Sequence, residues 1–184
     1  EGYGISKEGL NHLKNFSPAV FIALDCGIGN FKEIRLAKKI GFEVILIEHH
    51  EVLDRLPEAK IIVDPKQKGD KYPFKVLATA GIVFKLVEIL LGKKFSDNLK
   101  RNFLELVALA TLADMMPRES ENEVLISEGL VSLKKSWRPG IRSFFKLEYF
   151  DHYLTLEQKI SKIISILNVR DVENNLPASF RLLT

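Results

Sequence analysis

Two stretches decide the fold of this chain: Phe21-Ile-Ala-Leu-Asp25-Cys-Gly-Ile-Gly29, and further along Val44-Ile-Leu-Ile-Glu48-His49-His50. Each is a short apolar run closed by glycines or polar residues, a pattern typical of a buried strand in a parallel sheet. Between them, residues 30–40 carry apolar side chains at helical spacing. A strand, a helix and a strand joined by a right-handed crossover place the two strands parallel in one sheet.

Polar residues follow both predicted strands. Asp25 and the Glu48-His49-His50 segment are expected at the same edge of the sheet, where open α/β folds bind their ligands. One carboxylate and two imidazoles suit a divalent metal ion that promotes hydrolysis. Neighbouring histidines on an extended backbone point to opposite sides, so we expect one to bind the ion and the other to contact substrate or orient a neighbour. A histidine pair on an ordinary loop is the alternative at this point.

Two aspartates have competing interpretations. Asp25 could cap the helix that follows it, but Asn30 is better placed for that, which favours Asp25 as a ligand. Asp114 ends a helix predicted over residues 97–115, where a carboxylate opposes the helix dipole and needs a nearby cation. A metal ion could supply that charge, and so could Arg118 or a lysine. Cys26 is expected to be a small buried residue rather than a nucleophile.

Composition sets broad limits. A chain of 184 residues with 46% hydrophobic content can bury one substantial core, and a net charge of +3 neither demonstrates nor excludes a nucleic-acid partner. The single cysteine rules out a disulfide framework and favours a reducing, cytoplasmic setting. No apolar run reaches the roughly 18 residues of a membrane span. Periodicity predicts a third strand at 60–64 and further helices at 78–91, 121–134, 141–145 and 155–166.

Together these segments resemble the RecJ family of single-strand-specific exonucleases, within the DHH phosphoesterase superfamily. Glu48-His49-His50 takes the place of the family's aspartate-histidine-histidine signature, and Leu24-Asp25-Cys26-Gly27-Ile28 is similar to its second metal motif. The likeness continues in the same order through Gly2-Tyr3-Gly4, Asp64-Pro65-Lys66, Tyr72-Pro73-Phe74, residues 80–85, residues 108–117 and Arg138-Pro139-Gly140. Each pattern is short, but their joint order and spacing make the resemblance specific.

The resemblance implies an α/β fold: a Rossmann-like, DHH-type domain with a parallel sheet flanked by helices. Residues 1–150 would be the later part of the DHH catalytic domain, with its N-terminal part missing. Residues 151–184 would form a linker toward a second domain that this chain does not contain.

Family roles carry over residue by residue. The resemblance implies that Asp25 bridges two Mn²⁺ or Mg²⁺ ions and that His49 and Asp114 complete the shell of one of them. His50 would contact the scissile phosphate, which makes His50 and Asp25 the catalytic residues. Glu48 replaces the signature aspartate and would orient His49 from behind, and Asn168 would contact substrate.

The implied function is a metal-dependent 5′-to-3′ exonuclease that hydrolyses single-stranded DNA in repair and recombination, with a single-strand-binding protein or a helicase as partner. One departure is the family's aspartate-rich D-x-D loop, which this sequence lacks; we therefore expect the chain alone to be a poor nuclease. Two alternatives remain at this stage: a catalytically inactive Cdc45-like replication or repair scaffold, and a nano-RNase or cyclic-dinucleotide phosphodiesterase.

Overall fold

The computed structural model describes residues 4–147, 154–169, 171–174 and 176–184. The chain forms two compact units, one up to Leu90 and the other from Leu91. The predicted domain boundary between residues 150 and 151 lies outside the described residues, as do Gly2 and Tyr3 of the predicted glycine-tyrosine-glycine segment and Arg170.

The first unit is built on a parallel three-stranded sheet, as predicted. Its elements are α1 (Lys7–Leu13), β1 (Ala19–Leu24), α2 (Phe31–Ile40), β2 (Phe42–Ile47), β3 (Ile61–Val63) and α3 (Thr79–Leu91). The strand order is β1-β2-β3, and both pairs are parallel. Leu24 pairs with Ile47, and Ile47 pairs with Val63, so the three strands end level with one another. The residue after each strand therefore lies at one common edge.

Helix α2 packs on the sheet and contributes to the core of this unit. Ile34 and Ala37 are fully buried, as are Val44 and Leu46 of β2. The helix ends at Gly41, whose φ of 109° is a left-handed conformation that glycine adopts without a steric penalty. These contacts fix the crossover between β1 and β2.

Asn30 occupies the N-cap position of α2, but its side chain does not cap the helix. Its Oδ1 accepts the N–H of Ile5 at 3.3 Å, and its Nδ2 donates to the carbonyl of Ile5 at 3.4 Å. The residue predicted as a helix cap thus ties the segment before α1 to the start of α2.

Strand β1 is less buried than its apolar sequence predicts. Val20, Ile22 and Leu24 are 55%, 56% and 48% exposed, whereas the alternate residues of β1 face the core. Within the described part of the chain, β1 pairs only with β2, and α1 and α2 cover one face. The expectation of a strand buried on both faces was wrong for β1 and correct for β2.

The second unit is mainly helical. Its elements are α4 (Asp97–Ala113), α5 (Ser120–Leu133), α6 (Pro139–Lys146), α7 (Leu156–Leu167), β4 (Val172–Glu173), β5 (Leu176–Pro177) and α8 (Ala178–Leu183). Helices α4 and α5 meet closely at Gly129, where a Cβ atom would lie 2.3 Å from the carbonyl oxygen of Leu104. The described helices include none with the length and apolar character needed to span a membrane.

Candidate metal centre

Three ligand-capable side chains meet at the carboxyl edge of the sheet. Asp25 follows β1, and His49 and His50 lie two and three residues beyond β2. One ligand atom from each of these residues lies within 4.8 Å of those of the other two. The sequence predicted this meeting, and the level ends of the strands produce it.

The backbone at Asp25 is held in an uncommon conformation. Its φ is 62°, in the left-handed region that non-glycine residues rarely occupy, and its N–H donates to the carbonyl of Ile47 at 3.0 Å. Gly27 follows with a φ of 118°, and a Cβ there would lie 2.8 Å from Leu46 Cδ2. Such strained residues cluster at functional sites, where the surrounding structure holds them in place. The turn directs the half-exposed carboxylate of Asp25 toward His49.

Glu48 is a buried anchor behind this edge, only 1% exposed. Its Oε1 accepts the N–H of Ile28 at 3.1 Å, and its Oε2 accepts the N–H of His49 at 3.2 Å and contacts His50 Nδ1 at 2.7 Å. Burial alone would raise the pKa of Glu48, but the hydrogen bonds from His50, Ile28 and His49 together outweigh it and lower that pKa. The ionised carboxylate can only accept hydrogen bonds. His50 Nδ1 therefore carries a proton and donates a hydrogen bond to Glu48.

The two imidazoles lie side by side. Their ring centroids are 4.4 Å apart at an interplanar angle of 61°, and His49 Nε2 lies 3.4 Å from Asp25 Oδ1. Extended geometry would send them to opposite sides, but β2 ends at Ile47 and the chain bends at His50. Both imidazoles therefore reach the same small volume as Asp25. That only one of them binds the ion stays a prediction.

Cys26 is half-buried and packs against the core of the first unit. Burial raises the pKa of its thiol, and the negative charges of Glu48 and Asp25 raise it further. The thiol therefore stays protonated near neutral pH, consistent with its interpretation as a structural residue.

A third acid at this edge was not predicted as a site residue. Asp64 follows β3 directly, as Asp25 follows β1 and Glu48 follows β2, and it is completely buried. In the sequence it stood out only as part of the Asp64-Pro65-Lys66 likeness. Its position immediately after a predicted strand was the signal that could have identified it.

The remaining predicted residues lie in the second unit. Asp114 is exposed at the C-terminal end of α4, where its N–H donates to the carbonyl of Ala110 at 2.9 Å. Arg118, the alternative source of positive charge near Asp114, lies 3.4 Å from Glu157. Asn168 is exposed and ends α7. The roles of Asp114 and Asn168 at the site stay predictions.

The donor set suits a divalent metal ion. Two imidazoles and a carboxylate offer the mixed nitrogen and oxygen ligands that Mn²⁺ accepts readily, whereas Mg²⁺ prefers oxygen alone. Glu48, whose pKa is lowered, supplies negative charge close behind these ligands. The buried carboxyl group of Asp64 is near enough to Glu48 for that charge to raise its pKa. The residues at this edge therefore fit such an ion.

Fold and site together define a class of protein. Residues 4–111 match the sequence profile of the DHH family, N-terminal domain. The chain belongs to the DHH family.

Among known proteins, the chain is similar to the single-stranded-DNA-specific exonuclease RecJ of Bacillus subtilis. The two are 38% identical over 147 residues, which cover 80% of this chain and 18% of that protein. A crystal structure of exonuclease RecJ bound to manganese matches with a TM-score of 0.74 and 28% identity, covering 91% of this chain and 42% of the other. RecJ from Thermus thermophilus in complex with Mn²⁺ matches with a TM-score of 0.70 and 25% identity, covering 88% of this chain and 24% of the other. The chain thus spans less than half the length of each.

Proposed function

We propose that this chain carries part of the catalytic centre of a metal-dependent exonuclease that degrades single-stranded DNA from the 5′ end. The observation that supports this most is the convergence of Asp25, His49 and His50 at the carboxyl edge of a DHH-family sheet. The similarity to RecJ proteins, two of them in structures with manganese, supports the substrate and the metal.

Each site residue has a separate proposed role. Asp25 and His49 hold a divalent ion, and Asp114 is proposed to complete its shell. Asp25, His49 and Asp114 would hold the metal, two ions in the intact enzyme, which would supply an activated water and charge stabilisation for an in-line phosphoryl displacement. Protein side chains carry out the other roles, which are contact with the substrate and orientation of the site.

His50 is proposed to contact the scissile phosphate. Its Nδ1–H is held by Glu48, which fixes the orientation of the ring and leaves Nε2 as the atom that faces substrate. Glu48 also holds the N–H groups of Ile28 and His49, so it ties the loop after β1 to the end of β2. Asn168 is proposed to contact the DNA farther along the strand.

The setting of the activity follows from its substrate. We place it in DNA repair and recombination in the cytoplasm, on single strands exposed by a helicase or presented with a single-strand-binding protein. The lone, half-buried Cys26 is compatible with a reducing compartment.

The test is degradation of 5′-labelled single-stranded DNA by the full-length gene product that carries this sequence, with Mn²⁺ and with EDTA. We expect Mn²⁺-dependent release of mononucleotides. His49→Ala and Asp114→Ala should each lower the rate more than about 100-fold, beyond what loss of an outer-shell partner usually costs.

Matched controls are His12→Ala, an exposed histidine on α1, and Asp97→Ala, at the opposite end of α4 from Asp114. Both should keep the wild-type rate. Full activity in His49→Ala would refute the metal assignment. A well-folded wild-type protein that cleaves no DNA would instead favour the scaffold alternative.

A further inference from the structure

A pocket on the first unit is lined by three cations, one acid and an aromatic ring. It lies between the start of α2 and the loop that follows β2, and its volume is about 320 Å³. Small-ligand sites typically measure about 300–1,000 Å³, so the pocket is at the lower end of that range. The lining residues are Gly29, Phe31, Lys32, Glu33, Arg35 and Arg55. These residues are distinct from the candidate metal ligands.

The two segments that form this pocket also carry the candidate ligands. Phe31 is six residues beyond Asp25, and Arg55 is five residues beyond His50. Six residues of fully extended chain span at most about 20 Å, which limits the distance from the pocket to the ligands. Both segments leave the sheet at the carboxyl ends of their strands. The pocket therefore lies at the same edge as the candidate metal centre.

Ion pairs through Glu58 tie the loop after β2 to helix α2. The carboxylate of Glu58 lies 3.1 Å from Arg35 and 3.3 Å from Lys38. Lys32 and Arg55 are both exposed, and neither forms an ion pair with any residue in the described ranges. Two positive charges at this pocket are therefore available to a negatively charged ligand.

The aromatic ring of the pocket belongs to Phe31. The guanidinium carbon of Arg55 lies 4.9 Å from the centroid of this ring, within the range of a cation–π contact. The core of the unit takes Ile34 and Ala37 from α2, whereas Phe31 is half-buried at the wall of the pocket. Unpaired bases stack on aromatic rings and on guanidinium planes in proteins that bind single strands.

The combination of ring and charges fits a single-stranded nucleic acid better than other anions. An inorganic anion would use the cations and leave the ring without a contact. An acidic peptide would neutralise Lys32 and Arg55 but has no base to stack on Phe31. A single strand provides both groups, since each nucleotide has a flat base and a charged phosphate.

We propose that the Phe31–Arg55 pair stacks against an unpaired base of the strand that enters the metal centre, and that Lys32 contacts a phosphate of the same strand. The pocket holds the strand beside the site and touches neither the ion nor the bond that is cleaved. The inference rests on the proposed function in that the ligand is taken to be the single-stranded DNA that the centre cleaves.

Photocross-linking in EDTA tests the position of the base. The full-length gene product is irradiated with single-stranded oligonucleotides that each carry 5-iodouracil at one position, and the modified residue is identified by mass spectrometry. We expect a cross-link to Phe31 from a position near the 5′ end, because 5-iodouracil reacts with aromatic side chains on which it stacks. Cross-links confined to other residues would overturn the proposal.

The affinity for the same oligonucleotide in EDTA, measured by fluorescence anisotropy, separates stacking from charge. Phe31→Leu should weaken binding about 5- to 100-fold, as loss of a stacking ring does, and Phe31→Tyr should keep the wild-type affinity. Lys32→Ala should reduce the slope of log affinity against log salt concentration by about 0.7, because one phosphate contact is lost. Wild-type affinity in a folded Phe31→Leu, or a wild-type slope in Lys32→Ala, would refute the proposed contacts.

Lys39 and Phe16 offer matched controls in the same unit. Lys39 is exposed in the last turn of α2, at the end away from the pocket. Phe16 is 72% exposed just before β1, at the opposite edge of the sheet. Lys39→Ala and Phe16→Leu should keep the wild-type affinity and salt slope. If Lys39→Ala lowered the slope as Lys32→Ala does, the overall charge would explain the effect and the proposal would fail.

Cleavage with Mn²⁺ distinguishes a failure of this inference from a failure of the proposed function. A wild type that forms the Phe31 cross-link in EDTA but cleaves no DNA with Mn²⁺ would support the strand-binding pocket and refute the exonuclease. A wild type that cleaves DNA but forms cross-links only elsewhere would support the exonuclease and refute the pocket.

Discussion

At the scale of the residue, Glu48 uses the length of its side chain to reach two segments of the chain. Its extra methylene carries the carboxylate across to the loop after β1, where Oε1 meets the N–H of Ile28. Oε2 stays close enough to its own segment to hold His49 N–H and His50 Nδ1. A single buried side chain thereby links the two loops that bear the candidate ligands.

The substitution Glu48→Gln tests the role of Glu48 as a buried anchor. A glutamine side chain has one acceptor oxygen where Glu48 has two. Its NH₂ group would face an N–H donor that now binds the other oxygen of Glu48. Leaving a buried donor unsatisfied costs about 1–3 kcal/mol, so the free energy of unfolding should fall by that amount in urea denaturation of the metal-free protein.

Its control is Glu51→Gln, whose exposed side chain lies 3.1 Å from Lys66. That change should alter the free energy of unfolding by no more than about 0.5 kcal/mol. The cost of Glu48→Gln should also shrink in acid. A carboxylate with a lowered pKa stabilises the fold above its usual value of 4.5 and loses that effect as the pH falls through the folded pKa. If Glu48→Gln and Glu51→Gln lost the same free energy of unfolding, the role of Glu48 as a buried anchor would be contradicted.

At the scale of the element, a buried ion pair holds the second unit together. Arg138 Nη1 donates to Glu105 Oε2 at 2.7 Å, and the hydroxyl of Ser136 donates to the same oxygen at 2.6 Å. Arg138 Nε also donates to the carbonyl of Leu183 at 3.0 Å, so the pair joins α4, the start of α6 and the end of α8. At Gly140, the backbone of Leu182 comes so close that a Cβ would lie 2.2 Å from its carbonyl oxygen.

The second prediction tests this ion pair. Glu105→Leu leaves the buried guanidinium of Arg138 without its partner and should lower the free energy of unfolding by about 3–5 kcal/mol. The double variant Glu105→Leu/Arg138→Met should recover most of that loss, because no buried charge remains. Chemical denaturation of the single and double variants measures both values.

The exposed pair Arg118–Glu157 in the same unit is the control. Glu157→Leu should cost less than about 1 kcal/mol, as surface ion pairs usually do. A double variant as unstable as Glu105→Leu would show that lost packing, rather than an unpaired charge, sets the cost.

At the scale of the whole molecule, each of the two compact units has its own hydrophobic core. One is centred on Ile34, Val44 and Leu46, and the other on Leu133, Ile141 and Ile163. Asp25, His49 and His50, the candidate ligands that the structure brings together, belong to the first unit. An ion that binds only the folded protein raises its free energy of unfolding.

The third prediction is that Mn²⁺ raises the melting temperature of the full-length protein in scanning calorimetry and that EDTA reverses the effect. At a free Mn²⁺ concentration of 100 times the dissociation constant, the added free energy of unfolding is about 2.7 kcal/mol. His49→Ala should abolish most of this gain, and His12→Ala should retain it. The same Mn²⁺ effect in His49→Ala and the wild type would place the ion elsewhere.

Local pattern in the sequence predicted most elements of the fold. Apolar runs closed by Asp25 and Glu48 gave β1 and β2, and helical spacing gave α2 and α4 within one or two residues of their observed ends. The parallel sheet is confirmed. It could be predicted because crossover handedness leaves little choice once the strand-helix-strand order is known. From that order alone, Asp25 and His49 could be assigned to one edge.

The tertiary structure decided what these residues touch. The three donors to Glu48, the bend that brings His50 beside His49, the burial of Asp64 and the Glu105–Arg138 pair had no local signature in the sequence. Periodicity encodes which face of an element is apolar, and it carries no information about partners 20 or 30 residues away. Those partners depend on the register that ends the strands level, on the left-handed turn at Asp25 and on close helix contacts. The sequence thus determined the elements and the edge where the candidate site lies, and only the packed chain determined its hydrogen bonds.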